Sequence, residues 1–436
     1  MRTSRIGIIG LWLISALSAS GQGITFSQAL EKVLRQNYGI SLSRNVQRVA
    51  ENDNTVGNAG FLPTLDLEGE QNFGSSNTDI TFFDGSTINR DGARSQNLNV
   101  ALALNWTVFD GFRMWARKKE LEAGEELAYY NLRSQIEVTI LDLAGVYYQL
   151  LFEQELLPVL KENLRISKER QKIIDNALSL GSASGLDARQ AALDASNDSI
   201  SLLEQQNRIR NLKEDLLYIL NEPGDQLTIN DELAVDTTLR LADLRDSLQQ
   251  MNSALLLARS QVKIQDALVS QARSNFYPEV SLFGNLEYNF SQNEAGQVQQ
   301  LSRFGPTFGV RVRFNLFNGF NDLRNLQNEQ LGLANAEIQQ KDAQQQAERN
   351  LNKAYNNYDY QLRILSLRES NERQATKIVE TGLKQLEAGA ISSVDFRTIQ
   401  LELLRARSER YNASFNARLA ELQLQIISGR FRVQLQ

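Results

Sequence analysis

The chain writes WTVFDGF at residues 106–112 and FNLFNGF at residues 314–320, nearly the same seven letters 208 positions apart. Each copy closes a run in which apolar and polar residues alternate. Each then opens a long Leu- and Gln-rich stretch with apolar residues three or four apart. Alternation with period 2 is the mark of a strand with two unlike faces, and a period near 3.6 is the mark of a helix. The Asp110-Gly111 and Asn318-Gly319 pairs between them supply turn chemistry. Each copy is therefore a strand-to-helix junction, and one chain needs two of them.

The junctions belong to a larger duplication. NAGFLPTLDLEG (58–69) pairs with RSNFYPEVSLFG (273–284), which aligns Pro63 with Pro278 at an offset of 215, and Asn37 and Asn252 keep that offset. The junctions lie at offset 208. So do LSLGSASGLD (178–187) and KQLEAGAISSVD (384–395), in which Gly181 matches Gly389 and Asp187 matches Asp395. The offset falls inside segments 74–96 and 291–306, which read as loops, where changes of length are tolerated. Two tandem repeats follow, 22–222 and 241–436, joined by a Pro-Gly-containing linker at 223–240.

Within each repeat the order is helix, strand, strand, long helix, tight turn, return helix. Residues 64–73 and 97–109 read as strands in the first repeat, 279–290 and 307–317 in the second. Leu98, Val100, Leu102, Leu104, Trp106 and Val108 alternate with Asn99, Ala101, Ala103, Asn105 and Thr107. Runs of this length and pattern fit strands tilted across an outer membrane, and aromatic residues gather at their ends as in an interfacial girdle. A soluble antiparallel sheet with one wet face shows the same alternation. Its strands, however, are usually five or six residues long. Four strands cannot close a barrel, and lipid tolerates no open sheet edge, so several copies must share one.

The long helices are predicted at 112–180 and 321–386, the return helices at 187–220 and 395–427. Lead-in helices are expected at about 26–57 and 241–274. Nearly 70 residues at a rise of 1.5 Å span roughly 100 Å. Pro158 predicts a kink in the first long helix. The junction is thus where a membrane strand becomes a long column.

Residues 1–21 read as an export signal. Arg2 and Arg5 precede a short apolar run (Ile6–Leu17), and Ser18, Ala19, Ser20 and Gly21 offer a cleavage site. The chain holds no Cys and no His. That removes disulfides, thiolate chemistry, the commonest general base and the commonest metal ligand. No Gly-rich phosphate loop or nucleophile elbow stands in for them, so the reading is not an enzyme, and no cofactor is called for. A formal charge of −6 argues against nucleic acid as a partner.

The junctions, the Leu/Tyr-Pro segments before the strands, and the tips with Asp six residues after Gly together resemble the TolC-like outer-membrane efflux channel family. The resemblance covers the whole chain beyond the leader, including TFSQALEKVLRQNYGI (25–40). It implies an α+β membrane protein. Three copies would share a 12-stranded transmembrane β-barrel, four strands per chain, continued by a long periplasmic α-helical barrel. It also implies a tripartite exporter with a periplasmic adaptor (membrane fusion) protein and an inner-membrane transporter of RND, ABC or MFS type. The cargo would be small molecules or polypeptides.

In that family acidic residues narrow the periplasmic entrance, and the matching positions are Asp187 and Asp395. Ser184-x-x-Asp187 and Ser392-x-x-Asp395 also have the form of capping boxes, and one residue can serve both roles. Leu386 and Ile391 stand where the family's Tyr and Arg form a closing network, and Thr398 replaces a second acid. Leu180, Gly181, Ser182 and Ala183, with Ala388, Gly389 and Ala390, are candidates for adaptor docking, although glycines also simply make tight turns. Asp66, Glu68, Glu70, Glu279, Glu287, Arg311 and Arg313 would line a weakly selective lumen. A periplasmic coiled-coil scaffold or adhesin without a pore is the alternative; the long helices suit it and four amphipathic strands do not.

Overall fold

The computed structural model describes residues 23–224 and 227–431. The predicted export signal lies outside the described residues. In chain order the elements are α1 (Phe26–Gln36), α2 (Tyr38–Asp53), β1 (Thr64–Thr81), β2 (Thr87–Asp110), α3 (Arg113–Ser179) and α4 (Gly185–Leu220). They continue with α5 (Leu241–Met251), α6 (Ser253–Ser274), β3 (Glu279–Asn293), β4 (Gln300–Arg313), α7 (Asn321–Glu387) and α8 (Ser393–Ile427). The chain forms two compact units, and neither is one of the sequence repeats. One unit gathers the segments through Tyr38, Val138–Leu239 and Tyr355–Leu424. The other gathers Gly39–Glu137, Arg240–Ala354 and the residues from Gln425 on.

The second unit holds the sheet, which is antiparallel throughout in the order β1-β2-β3-β4. Its register sorts the two faces. Asp66 lies opposite Ala103, Glu68 opposite Ala101 and Glu70 opposite Asn99, while Leu65 meets Leu104 and Leu67 meets Leu102 on the other side. The same division continues through Glu287–Ala101 and Tyr288–Val100, and through Arg311–Ser281 and Val310–Leu282. Beside the sheet, α6 runs antiparallel to the start of α3. It is tied by Ser253 Oγ to Glu137 at 2.7 Å, Lys263 Nζ to Glu126 at 2.6 Å and Gln271 Nε2 to Glu120 at 2.6 Å.

Three expectations are corrected here. The strands were expected to stop near Phe73 and to resume at Asn97. Instead β1 and β2 continue to Thr81 and Thr87, leaving only 82–86 as a turn. Apart from Ile80 opposite Ile88 the added pairs carry small or polar residues, so no hydrophobic alternation marks them; the β-branched Thr78, Ile80, Thr81, Thr87 and Ile88 suit a strand. The last strand, expected at 307–317, ends at Arg313 because that residue pairs with Glu279, the first residue of β3, and nothing remains to pair with Phe314. The lead-in helices break at Asn37 and at Asn252, both extended at ψ near 130°. Each Asn turns its side-chain amide outward instead, to the carbonyl of Ile219 (3.3 Å) or Ile427 (2.9 Å) in the last turn of its return helix. The two repeat-related asparagines thus make the same bond twice.

The first unit is helical. Ile140, Leu143, Tyr147 and Leu150 of α3 are fully buried, and α3 continues through Pro158. The linker is pinned rather than loose. Ile24 and Ile229 form a parallel bridge, Tyr147 donates its hydroxyl to the Ile24 carbonyl at 2.8 Å, and Asp236 N donates to Glu421 at 3.1 Å. Tyr358 of α7 donates to the Asp236 carbonyl, and burial pushes its hydroxyl pKa up to about 12.

Candidate functional site

Each repeat passes from strand to helix at its junction, between β2 and α3 or between β4 and α7. In both, two successive residues are left-handed: Gly111 and Phe112 at φ +69° and +70°, Gly319 and Phe320 at +70° and +63°. A left-handed phenylalanine is uncommon and needs a reason. Here each ring packs edge-on against the aromatic three residues earlier, Phe109–Phe112 and Phe317–Phe320, with centroids 5.3 Å apart in both cases. Asp110 Oδ2 accepts from Met114 N at 2.9 Å and Asn318 Oδ1 from Asn321 N at 3.1 Å, so the turn residue also caps the helix it starts.

The apolar face of the sheet is uncovered. Leu67 is 76% exposed, Phe308 83% and Leu316, just past β4, 87%. An apolar surface of this extent marks contact with a membrane or another protein. Among the described residues no helix is long and apolar enough to cross a membrane. On the polar face Asp66, Glu68, Glu70, Arg311 and Arg313 are exposed, while Glu279 and Glu287 are half-buried. Sequence reading missed Arg303 of this face, which fell before the expected start of the last strand, and Phe283. Phe283 lies across Gly309 of the neighbouring strand, where a Cβ would sit 2.7 Å from its ring, and the Arg311 guanidinium stacks on it at 5.1 Å. The omitted Cβ of a glycine is the only signal that could have found Phe283.

The helical tips lie in the first unit. Gly181 and Gly389 are left-handed at φ +77° and +71° with open space around them. Each closes its helix by the same pair of bonds: Ser182 N to Ala177 O and Gly181 N to Leu178 O, then Ala390 N to Gln385 O and Gly389 N to Leu386 O. Leu180 is 82% exposed, and Ser182, Ala388 and Ala390 are exposed beside it, with Ala183 half-buried. Asp187 forms a complete capping box with Ser184, accepting from its hydroxyl at 2.7 Å and its amide at 3.1 Å. Those two bonds hold its carboxyl below the usual carboxylate range, the hydroxyl first. Asp395 accepts from Ser392 Oγ at 2.6 Å. Leu386 is buried with Ile166, Val379, Phe396 and Leu403, Ile391 packs against that cluster, and Thr398 bonds back to Val394 O. Where the resemblance led one to look for a polar network, the chain has an apolar core.

Because Asp187 titrates below its ordinary range, its capping bond is present at neutral pH. The bond persists below the free carboxylate's pKa and is lost only as pH falls through the lowered value. Ser184→Ala is expected to speed amide exchange in the first turn of α4 about fivefold, with a like effect for Ser392→Ala in α8. Hydrogen exchange followed residue by residue checks this.

A buried ionic cluster lies close behind the tips on α3, α4 and α8. The Arg397 guanidinium of α8 grips Asp198 of α4 with two bonds, at 2.8 and 2.9 Å, and Ser167 of α3 donates to the same carboxylate. Arg170 of α3, almost wholly buried, pairs with Asp194 of α4 and donates to Ser393 O at 3.3 Å. Gln400 adds bonds to Asn163 O and Ser167 Oγ, at 2.9 and 2.8 Å. The sequence offers these as polar residues three or four apart on three helices, which a periodicity reading assigns to solvated faces. Among the described residues no cluster suits a metal ion.

A sequence profile of outer membrane efflux proteins matches residues 29–222 and 244–430. The chain belongs to that family. It is an outer-membrane exit channel of an export system. The chain is 22% identical over 316 residues to the proteases secretion protein PrtF of Dickeya chrysanthemi, covering 70% of this chain and 67% of that one. The described fold is similar to that of the outer membrane protein VceC of Vibrio cholerae, with a TM-score of 0.74, 15% identity and coverage of 93% and 96%. It is likewise similar to the CmeC outer membrane channel of Campylobacter jejuni, with a TM-score of 0.75, 15% identity and coverage of 100% and 95%.

Proposed function

We propose that three copies of this exported chain share one 12-stranded barrel in the outer membrane. In this reading the helical part continues as a periplasmic tunnel that docks an adaptor and, through it, an inner-membrane transporter. The observation that carries it is the sheet itself. Its apolar face is exposed, its opposite face is charged, and β1 and β4 are both unpaired edges. A sheet edge is not tolerated in lipid, so such a sheet is stable there only when copies close it into a ring. The tandem repeats then give a pseudo-sixfold tunnel, which is why the junction is written twice.

In this arrangement Asp66, Glu68, Glu70, Glu279, Glu287, Arg311 and Arg313 face water inside the barrel. Their mixed signs suit a passive passage with weak selectivity. Asp187 and Asp395 from three copies ring the entrance with six carboxylates, a collar that favours cations. The tips from Leu180 to Ala183 and from Ala388 to Ala390 receive the adaptor. PrtF is a proteases secretion protein, and that likeness supports a polypeptide cargo.

The test is photo-crosslinking in the native host, with the photoreactive side chain at Ser182 and at Ala390. The glycines are avoided because any side chain there would strain a left-handed backbone. Capture of an adaptor from both positions is expected, and the transporter gene beside that adaptor then reports the class of cargo. A duct that conducts in a planar bilayer but captures no adaptor from either position would end the docking assignment.

A further inference from the structure

The charges on the polar face are not evenly spread. The β1 edge carries Asp66, Glu68 and Glu70, and the β4 edge carries Arg303, Arg311 and Arg313. Among the described residues, Arg303, Arg311, Arg313, Asp66 and Glu68 form no ion pair. Resting on the shared-barrel reading, we propose that Arg311 and Arg313 of one copy pair with Asp66 and Glu68 on β1 of the next, a ladder that sets the register of barrel closure.

Geometry narrows that register to two choices. Within the chain, Thr64 stands in the same row as Asn105, Phe283 and Gly309. Four strands about 4.8 Å apart span about 19 Å. At a tilt of roughly 35–45° the next copy's β1 is displaced along the strand by about 13–19 Å, or roughly four to six residues. The displacement must be even, because an odd step turns every side chain to the wrong face. Its direction follows from the edge that must be closed. Displacement toward higher β1 numbers pairs all of Gln300–Arg313 with residues inside Thr64–Thr81, whereas the opposite direction leaves the lower half of β4 unpaired in lipid.

A shift of four sets Arg311 against Asp66, and a shift of six sets it against Glu68. Arg313 then meets Thr64 or Asp66. In either register Arg311 faces a carboxylate. Within the chain its guanidinium rests only on the Phe283 ring, 5.1 Å from the centroid, and engages no carboxylate among the described residues. Opposite charges directly across a strand pair stabilise it, and like charges oppose it.

Because the chain has no cysteine, engineered disulfides report the seam without background. Arg311→Cys would be combined with Asp66→Cys in one variant and with Glu68→Cys in another, purified from outer membranes and oxidised. One combination is expected to give a covalently closed oligomer, and each single substitution none. Independently, Arg311→Glu with Arg313→Glu should speed dissociation of the oligomer in detergent at least about tenfold, since the change repeats at every seam. Adding Asp66→Arg and Glu68→Arg should restore it. An oligomer that persists, forms neither disulfide and ignores the charge reversals would overturn the ladder while leaving the shared barrel in place. An unaltered chain that is monomeric in gentle detergent would remove the shared barrel, and the ladder with it.

Discussion

Replacing Asp198 by Ala is expected to cost about 3–5 kcal/mol where α4 and α8 meet α3, the largest loss from any single side chain outside the apolar core. Asp198 is buried and receives both arms of Arg397 as well as the Ser167 hydroxyl. Without it the guanidinium keeps the neutral oxygens of Ser167 and Gln400, at 3.0 and 3.3 Å, and a single carboxylate, that of Asp194, 4.0 Å away. A buried charge without its partner loses the attraction but still bears the desolvation, which is why the truncation costs far more than the pair contributes. The same reasoning fixes the control. Ser167→Ala, Asp198→Leu and Arg397→Met together remove the Arg397–Asp198–Ser167 group, leave the Arg170–Asp194 and Gln400–Asn163 bonds in place, and are expected to cost far less than Asp198→Ala alone. A chain with two compact units need not unfold in one step, so a single melting temperature is the wrong readout. Native-state hydrogen exchange is the right one. Asp198→Ala should raise exchange about a hundredfold or more around residues 160–200 and 393–405, and the triple variant should leave it near that of the unaltered chain. Equal effects of the single and triple variants would show that the cluster is not an electrostatic unit.

What a sequence can disclose follows from how its energy is distributed. Burial of one helix face against a core leaves a periodic trace, so Leu132, Ile136, Ile140, Leu143, Tyr147 and Leu150 mark the inner stripe of α3, and all six are buried. The two faces of the sheet are written just as openly, because lipid and water demand opposite side chains at successive positions. The outer part of the β1–β2 hairpin left no such trace, since its pairs are small or polar apart from Ile80 opposite Ile88. The breaks at Asn37 and Asn252 depend on a single side-chain amide reaching another helix, and composition does not encode reach. The cluster around Asp198 was hidden for a related reason. Asn163, Ser167 and Arg170 have the spacing of an exposed stripe, and only the approach of α4 and α8 turns that stripe inward. Periodicity reports what faces what solvent; it does not report which polar stripes find each other.

The repeated junction makes a second large prediction, because the same turn sits in two surroundings. At Gly111 an added Cβ would lie 2.5 Å from the Ser274 carbonyl oxygen and 2.8 Å from Tyr277 Cβ; at Gly319 it would meet nothing within 4 Å. Asn is the substitution that separates the two effects, since it tolerates a left-handed backbone better than other side chains. Gly111→Asn must move backbone where the end of α6 meets the first junction, which is expected to cost on the order of several kcal/mol and to prevent recovery of folded chain from the membrane. Gly319→Asn should fold. Its test comes at assembly. The repeats align Ser274 with Ala59 and Tyr277 with Leu62. If three chains close a pseudo-sixfold ring, Ala59 and Leu62 of the next copy approach Gly319 as Ser274 and Tyr277 approach Gly111. Gly319→Asn would then yield chain that inserts but does not oligomerise. Sizing of detergent extracts distinguishes the outcomes: loss of all folded protein for Gly111→Asn, and monomer in place of oligomer for Gly319→Asn. A normal oligomer from Gly319→Asn would mean that the second junction faces open water in the assembled channel, and that the sequence repeat is not continued as symmetry around the ring.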